Sequence, residues 1–141
     1  MFREMLTAYY REGEDADTEQ EVLDAFIADL FSMATEQKIG GCFVCHEGEA
    51  VGFALWTIDT PDGAFSEIPG YGTILEIGID PRFRGKGYGS LAVEHAERQM
   101  RLAGAEHFYV SVYPLADKFW TRCGYAKTEN TASNGLFIYK K

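Results

Sequence analysis

The sequence predicts a mixed α/β fold, and three observations carry that expectation. Apolar residues recur at helical spacing near the N-terminus and again over residues 88–103. The stretches between them are short, β-rich runs, and glycines and prolines separate these runs at Gly40-Gly41, at 60–72 and at 81–87. With 141 residues, 46% hydrophobic and 14% aromatic, the chain reads as one domain. A domain of that length buries about two thirds of its unfolded surface. No repeat, linker or low-complexity segment interrupts it.

Each element follows from local pattern. Residues 2–12 put Phe2, Leu6 and Tyr9 or Tyr10 on one side of a helix, which GEDAD breaks. Thr18 with Glu21 resembles a capping box. Behind it Val22, Phe26, Ile27, Leu30, Phe31 and Ala34 repeat at helical spacing toward an end near Lys38. Residues 42–46 and 51–58 flank EGEA and predict a hairpin with Phe53, Leu55 and Trp56 in its core. Residues 74–80 read as a buried strand. Tyr88, Leu91, Ala92, Ala96, Met100 and Ala103 mark a helix, and Gly104 is its natural stop. HFYVSVY (107–113) is another strand, and Pro114 opens a short helix carrying Leu115, Phe119 and Trp120 that Gly124 ends. Residues 125–127 and 136–139 complete the order as strands. Helices and strands thus mix within one domain.

Charge narrows the function classes. A net charge of −9 argues against nucleic acid, whose binding needs a basic face. No run of about 18 apolar residues is present, so no membrane span is expected. The stretch MFREMLTAYYREGEDAD has no apolar signal core, and three cysteines form no paired framework; both point to a cytoplasmic protein. The acidic excess suits solubility and is compatible with a cationic ligand such as an amine. Acid gathers between Glu12 and Asp24, whereas Arg82, Arg84 and Lys86 gather around a glycine loop.

Cys42-Phe43-Val44-Cys45-His46 spells the attachment pattern of c-type haem. In a strand the two cysteines point to opposite faces, which one haem does not bridge. Zinc wants a second ligand pair, and Cys123, His95 and His107 stand at irregular spacing. No metal is expected, and the cysteines read as small strand residues.

The stretch RGKGYGS (84–90) lies between a strand and a helix. Such a loop offers unpaired backbone N–H groups and the positive end of a helix dipole, which together bind phosphate or pyrophosphate. GxxxxGK[ST] fails, because Asp80 stands at its first glycine and Gly87 follows Lys86. GxGxxG fails because Ser90 stands at its last glycine. A ligand-free turn is the alternative; the basic residues and the clean helix start favour a ligand.

RGKGYG also resembles the R/Q-x-x-G-x-G/A loop of the GNAT superfamily of N-acetyltransferases. ILEIGIDPRFRGKGYGSLAVEHAERQMRLAGAEHFYVSV is similar to that family's central strand, loop, helix and next strand. ADKFWTRCGY is similar to its A-x-x-F-Y-x-x-x-G-F signature, and CFVCHEGEAVGFALW to its earlier hairpin. The resemblance spans roughly residues 18–139. It implies a mostly antiparallel central sheet flanked by helices, acetyl-coenzyme A as cosubstrate, and direct attack of a primary amine in a ternary complex. It further implies pantetheine contacts at the backbone of Ile77 and Ile79. Pyrophosphate contacts would come from Gly85, Gly87, Gly89 and Ser90, with Arg84 and Lys86 at the rim.

Glu76 is the candidate base, a carboxylate in an apolar strand whose pKa burial would raise; a structural strand-edge glutamate is the other reading. Two departures from the family pattern stand out. Trp120 occupies the position of the tyrosine that protonates the leaving thiolate, and an indole N–H is no useful acid. Tyr113 is the nearest substitute. The chain also opens with a helix where the family has a strand, so one sheet edge is short or completed by a partner in a homodimer. The acceptor stays open among small amines, aminoglycoside-like drugs and peptide or protein amines. The residues 12–24 would border its site. A non-catalytic acyl-coenzyme A sensor is the rival reading, and another kind of nucleotide-binding domain a more distant one.

Overall fold

The computed structural model describes residues 2–12, 19–36, 39–63 and 66–141. Helices α1 (Phe2–Glu12) and α2 (Gln20–Thr35) precede strands β1 (Gly40–His46), β2 (Glu49–Ile58) and β3 (Gly72–Ile79). A 3₁₀ turn, Pro81–Phe83, leads to α3 (Tyr88–Leu102) and β4 (Phe108–Val112). A second 3₁₀ turn, Pro114–Ala116, runs into α4 (Asp117–Arg122), followed by β5 (Ala126–Thr131) and β6 (Phe137–Lys140). The strands form a six-stranded sheet in the order β1-β2-β3-β4-β6-β5, antiparallel at every pairing except β3 with β4. This is the mixed α/β architecture expected, with helices on both faces.

Each face carries its own core because strand side chains alternate. Ala54 and Trp56 of β2 join Val93, Ala96 and Met100 of α3, Phe108 and Val110 of β4, and Trp120 of α4. Phe53 and Leu55 point the other way, into Leu6 and Tyr10 of α1 and Leu23, Ile27 and Leu30 of α2. Each Val, Leu, Ile, Phe or Met side chain among these that is fully removed from water stabilises the fold by roughly 1.5–3 kcal/mol.

The helix ends differ in detail from expectation. Glu19 is the N-cap of α2, without a side-chain cap bond, and its carbonyl accepts from the N–H groups of Val22 and Leu23. Thr18 of the anticipated Thr18–Glu21 box and Lys38 lie outside the described residues, while Glu21 lies in the first turn of α2. The helix ends at Thr35. Val22 is exposed instead of buried, the first sign that part of α2 faces something other than the core.

Two buried acids staple the sheet. Glu97 of α3 is only 2% exposed; both its oxygens lie 2.9 Å from Lys141 Nζ, and the Tyr125 hydroxyl donates to it at 3.2 Å. Burial first, and then the Glu97 charge, push the Tyr125 pKa well above its usual range, so that hydroxyl remains a donor.

Asp59 follows β2 and ties down the loop beyond it. Its Oδ2 accepts from the N–H groups of Glu67 and Ile68 and from the Tyr109 hydroxyl, each at 2.7 Å. Burial pushes its pKa up, but the hydrogen bonds from Glu67, Tyr109, Ser66 and Ile68 outweigh that, leaving it below the ordinary 3.8. A depressed folded pKa means stability present above the unfolded value and lost as pH falls through the folded one. Asp59→Asn should therefore flatten the acid limb of a thermal midpoint against pH profile below about pH 4. Parallel profiles for the two proteins would remove Asp59 from the acid transition.

No helix among the described residues is long and apolar enough to cross a membrane.

Candidate active site

The site begins where the sheet comes apart. Among the described residues β3 and β4 pair at only two positions, Gly72 with Phe108 and Thr73 with Tyr109. Beyond these the parallel strands diverge and leave a gap along the rest of β3. Asp80 donates its N–H to the Val51 carbonyl of β2 at 2.8 Å. Antiparallel ladders alternate, so the backbone groups of Ile79 and Ile77 turn away from β2 and toward the gap. The Ile79 carbonyl there accepts from Arg84 Nε at 2.8 Å.

A bulge decides where Glu76 points. Leu55 pairs with Glu76 and Trp56 with Ile74, so Leu75 is an extra residue in β3. Strict alternation would send Glu76 to the same face as Ile74, into the core beneath α3. The added residue resets the alternation: Ile74 stays on the α3 face and Leu75 packs with α1 and α2. Glu76 follows Leu75 to that face, where the Tyr10 hydroxyl of α1 donates to its Oε1 at 2.7 Å. Ile77 returns to the α3 side.

At the far end of β3 the glycine loop opens α3. Gly85 and Gly87 adopt left-handed backbone, φ 73° and 89°, and a Cβ at either would meet open space. Gly87 is the N-cap of α3 and has no side-chain cap, so the N–H groups of the first turn, including Gly89 and Ser90, project from the helix end. Gly89 serves a different end. A Cβ there would lie 2.8 Å from the Phe119 ring, so glycine admits α4 against α3.

The rim cations are more committed than their clustering implied. Arg82 is bound to Asp80, Nη2 to Oδ2 at 2.7 Å, and these hydrogen bonds hold the Asp80 pKa at about 2. Arg84 joins Glu12 of α1 at 2.7 Å, besides its bond to Ile79, and so fastens the loop to the first helix. Lys86 pairs with no carboxylate among the described residues and lies over the Phe83 ring, 5.4 Å from its centroid. Of the acidic residues between 12 and 24, Glu14, Asp15 and Asp17 lie outside the described residues.

A cavity of about 510 Å³ opens beside Glu76; among the described residues its lining includes neither Ile77 and Ile79 nor the glycine loop 84–90. One wall is apolar, made by Val22, Leu23, Phe26 and Leu30 of α2. Glu76 and Tyr10 face it together with Thr73, Tyr109, Ser111 and Tyr113, and Glu67, Ser133 and Asn134 line it as well. Tyr113 follows the end of β4 and is 40% exposed. Trp120 is not reachable. It is 6% exposed, with Phe119 and Tyr125 set edge-on against it at 5.1 and 5.2 Å. The position where the resemblance expects a tyrosine is a core position here.

Tyr10 and Glu67 escaped sequence reading. Tyr10 looked like any helix-face aromatic, and its partner lies 66 residues away. The cysteines and histidines behave as ordinary residues. Cys42 and Cys45 alternate across β1, half-buried and exposed, and all three cysteines are free thiols. His46 Nδ1 shares a hydrogen bond with the Tyr88 hydroxyl at the start of α3, and His95 packs against Trp56. Among the described residues no group of three or more His, Cys, Asp or Glu could hold a metal ion.

The family model described as "Acetyltransferase (GNAT) family" matches residues 1–125. No curated protein matches the chain. Solved structures do. The PaiA N-acetyltransferase of Thermoplasma acidophilum, in complex with coenzyme A, is 15% identical with a TM-score of 0.72, over 99% of this chain and 89% of that one. A GCN5-related N-acetyltransferase from Ralstonia eutropha JMP134 is 21% identical, TM-score 0.75, over 93% and 88%. The aminoglycoside 6′-N-acetyltransferase AAC(6′)-IG from Acinetobacter haemolyticus is 14% identical, TM-score 0.65, over 78% of each chain. At these identities the likeness concerns the fold.

Proposed function

The chain belongs to the acetyltransferase (GNAT) family, and from that premise we propose that residues 1–141 form one acetyltransferase domain. It moves an acetyl group from acetyl-coenzyme A to a primary amine by direct attack in a ternary complex. The single observation that carries this is the order of three features from β3 into the start of α3. The carboxylate of Glu76, the backbone of Ile77 and Ile79 turned away from β2, and the open cradle of Gly85 and Gly87 at the start of α3 follow one another in the chain. Cradle and gap suit a long ligand with a pyrophosphate at one end and an amide-bearing arm. The coenzyme A in the T. acidophilum relative supports that choice.

When bound, acetyl-coenzyme A supplies an acyl group activated as a thioester. The chain's own residues do the rest. N–H groups of Gly85, Gly87, Gly89 and Ser90, at the positive end of α3, hold the pyrophosphate, and Lys86 adds charge at the rim. Ile77 and Ile79 hydrogen-bond the pantetheine arm. Glu76, fixed by Tyr10, takes the proton from the acceptor ammonium so that the amine can attack. Tyr113 returns a proton to the leaving thiolate. Holding both reactants in one gap supplies much of the acceleration. The three free cysteines agree with a cytoplasmic site of action.

Thermal stability with acetyl-coenzyme A, coenzyme A, ATP and NAD⁺ at equal excess tests the ligand. A ligand at a hundred times its Kd stabilises by about 2.7 kcal/mol, a midpoint shift of several degrees. The coenzyme A pair alone should give that shift, and Gly87→Ala, which forces a side chain onto left-handed backbone at the cradle, should lose it. No shift with either coenzyme would leave the loop a plain turn. Thiol release with an amine panel then separates an enzyme from a sensor that binds without turnover.

A further inference from the structure

We propose that the acceptor carries a second cationic group on an apolar spacer, and that Glu67 is the residue that selects it. This rests on the acetyltransferase reading above and concerns the acceptor end of the same cavity. Glu67 lines that cavity with Glu76 and with the apolar wall of Val22, Phe26 and their neighbours.

The Glu67 carboxylate is built into place from two directions. Its Oε1 accepts from both the N–H and the hydroxyl of Ser133, each at 2.7 Å. Its own backbone N–H is held at 2.7 Å by Asp59, which is 4% exposed and bound in turn by the Tyr109 hydroxyl. A surface glutamate normally spends rotamer freedom when it binds; this one has already spent it on neutral donors. Those donors leave its charge uncompensated, since among the described residues Glu67 makes no ion pair with any cation.

The apolar wall supplies the second half. Val22 is 58% exposed on the cavity side of α2, an apolar residue where a solvated helix would carry a polar one. A ligand matching both features has a methylene or aryl body against α2 and a charged group at Glu67. Its reacting amine would stand near Glu76. Two carboxylates in one cavity thus divide the labour: Glu76 accepts a proton, and Glu67 reads a charge that stays.

The test compares α,ω-diamines of increasing length with n-alkylamines of the same length, using thiol release from acetyl-coenzyme A. At the best length the diamine should be preferred by about 10- to 100-fold in kcat/KM, the range for one charge-assisted hydrogen bond. The preference should lie mainly in KM and shrink as salt rises. Glu67→Gln keeps the acceptor oxygen for Ser133 but drops the charge, and should collapse the diamine-to-monoamine ratio toward one. A variant that lowers both series alike would make Glu67 structural and overturn the proposal. So would equal kcat/KM for both series in the unmodified protein, whether or not the variant folds; in that case the acetyltransferase reading stands. Absence of thiol release with every amine overturns both.

Discussion

Glu76→Gln lowers kcat by about 100-fold or more while leaving the affinity for acetyl-coenzyme A nearly unchanged. General-base assistance contributes typically 10²–10⁴-fold, and glutamine keeps the shape but cannot take a proton. The cradle at Gly85 and Gly87 lies at the other end of β3, which is why cosubstrate binding survives. Tyr10→Phe keeps the ring in the α1 core and removes only the donor to Glu76 Oε1. Tyr10 acts as a positioning residue, so its loss costs less in kcat than loss of the carboxylate. Steady-state thiol release and thermal midpoints, measured on the same preparations, decide the matter. A structural glutamate would show the opposite pattern, a lowered midpoint with kcat kept near the original.

Lys141→Met should destabilise the fold by about 3 kcal/mol and lower the midpoint by roughly 10 °C. Glu97 is buried at 2% exposure, and Lys141 is its nearest cation, with Arg101 Nη2 farther off at 3.4 Å. Removing one partner of a buried pair strands the other charge, and this cost exceeds what the pair contributes over apolar substitutes. Lys141 Nζ also donates to the Cys123 carbonyl at 2.8 Å, so the same side chain ties α4 to α3. Adding Glu97→Gln to the variant removes the stranded charge and should recover part of the loss. The measurement is a urea or thermal titration of the three proteins. An unchanged midpoint in the single variant would mean that Arg101 and Tyr125 suffice for the carboxylate.

Much of this protein is legible in one dimension because its determinants are local. Helix periods give α1, α2 and α3 to within a few residues, and Gly87 and Gly104 punctuate α3 through backbone freedom that needs no partner. The loop 84–90 also reads correctly as a helix-opening turn, since unpaired N–H groups are a property of any helix start. Glu76 stood out for being charged in an apolar strand. Those are statements about neighbours in sequence, and sequence suffices for them.

The site itself required distant parts to meet. The β3 bulge at Leu75 leaves no mark in ILEIGI, because its cause is the pairing with β2; without it, alternation would bury Glu76 under α3. The gap exists because β3 and β4 part after two residue pairs, a relation between strands some thirty positions apart. Clustering of Arg82, Arg84 and Lys86 suggested three rim cations, yet the fold brings Glu12 to Arg84 and Asp80 to Arg82. Glu67 looked like any loop acid until Ser133 and Asp59 fixed it. Sequence by itself determined the elements, the family resemblance and the helix-opening glycine loop, since each depends on short-range patterns along the chain. Only tertiary structure decided which carboxylates face the cavity and which cations are already spent, because hydrogen bonds and ion pairs form between whatever the fold makes adjacent.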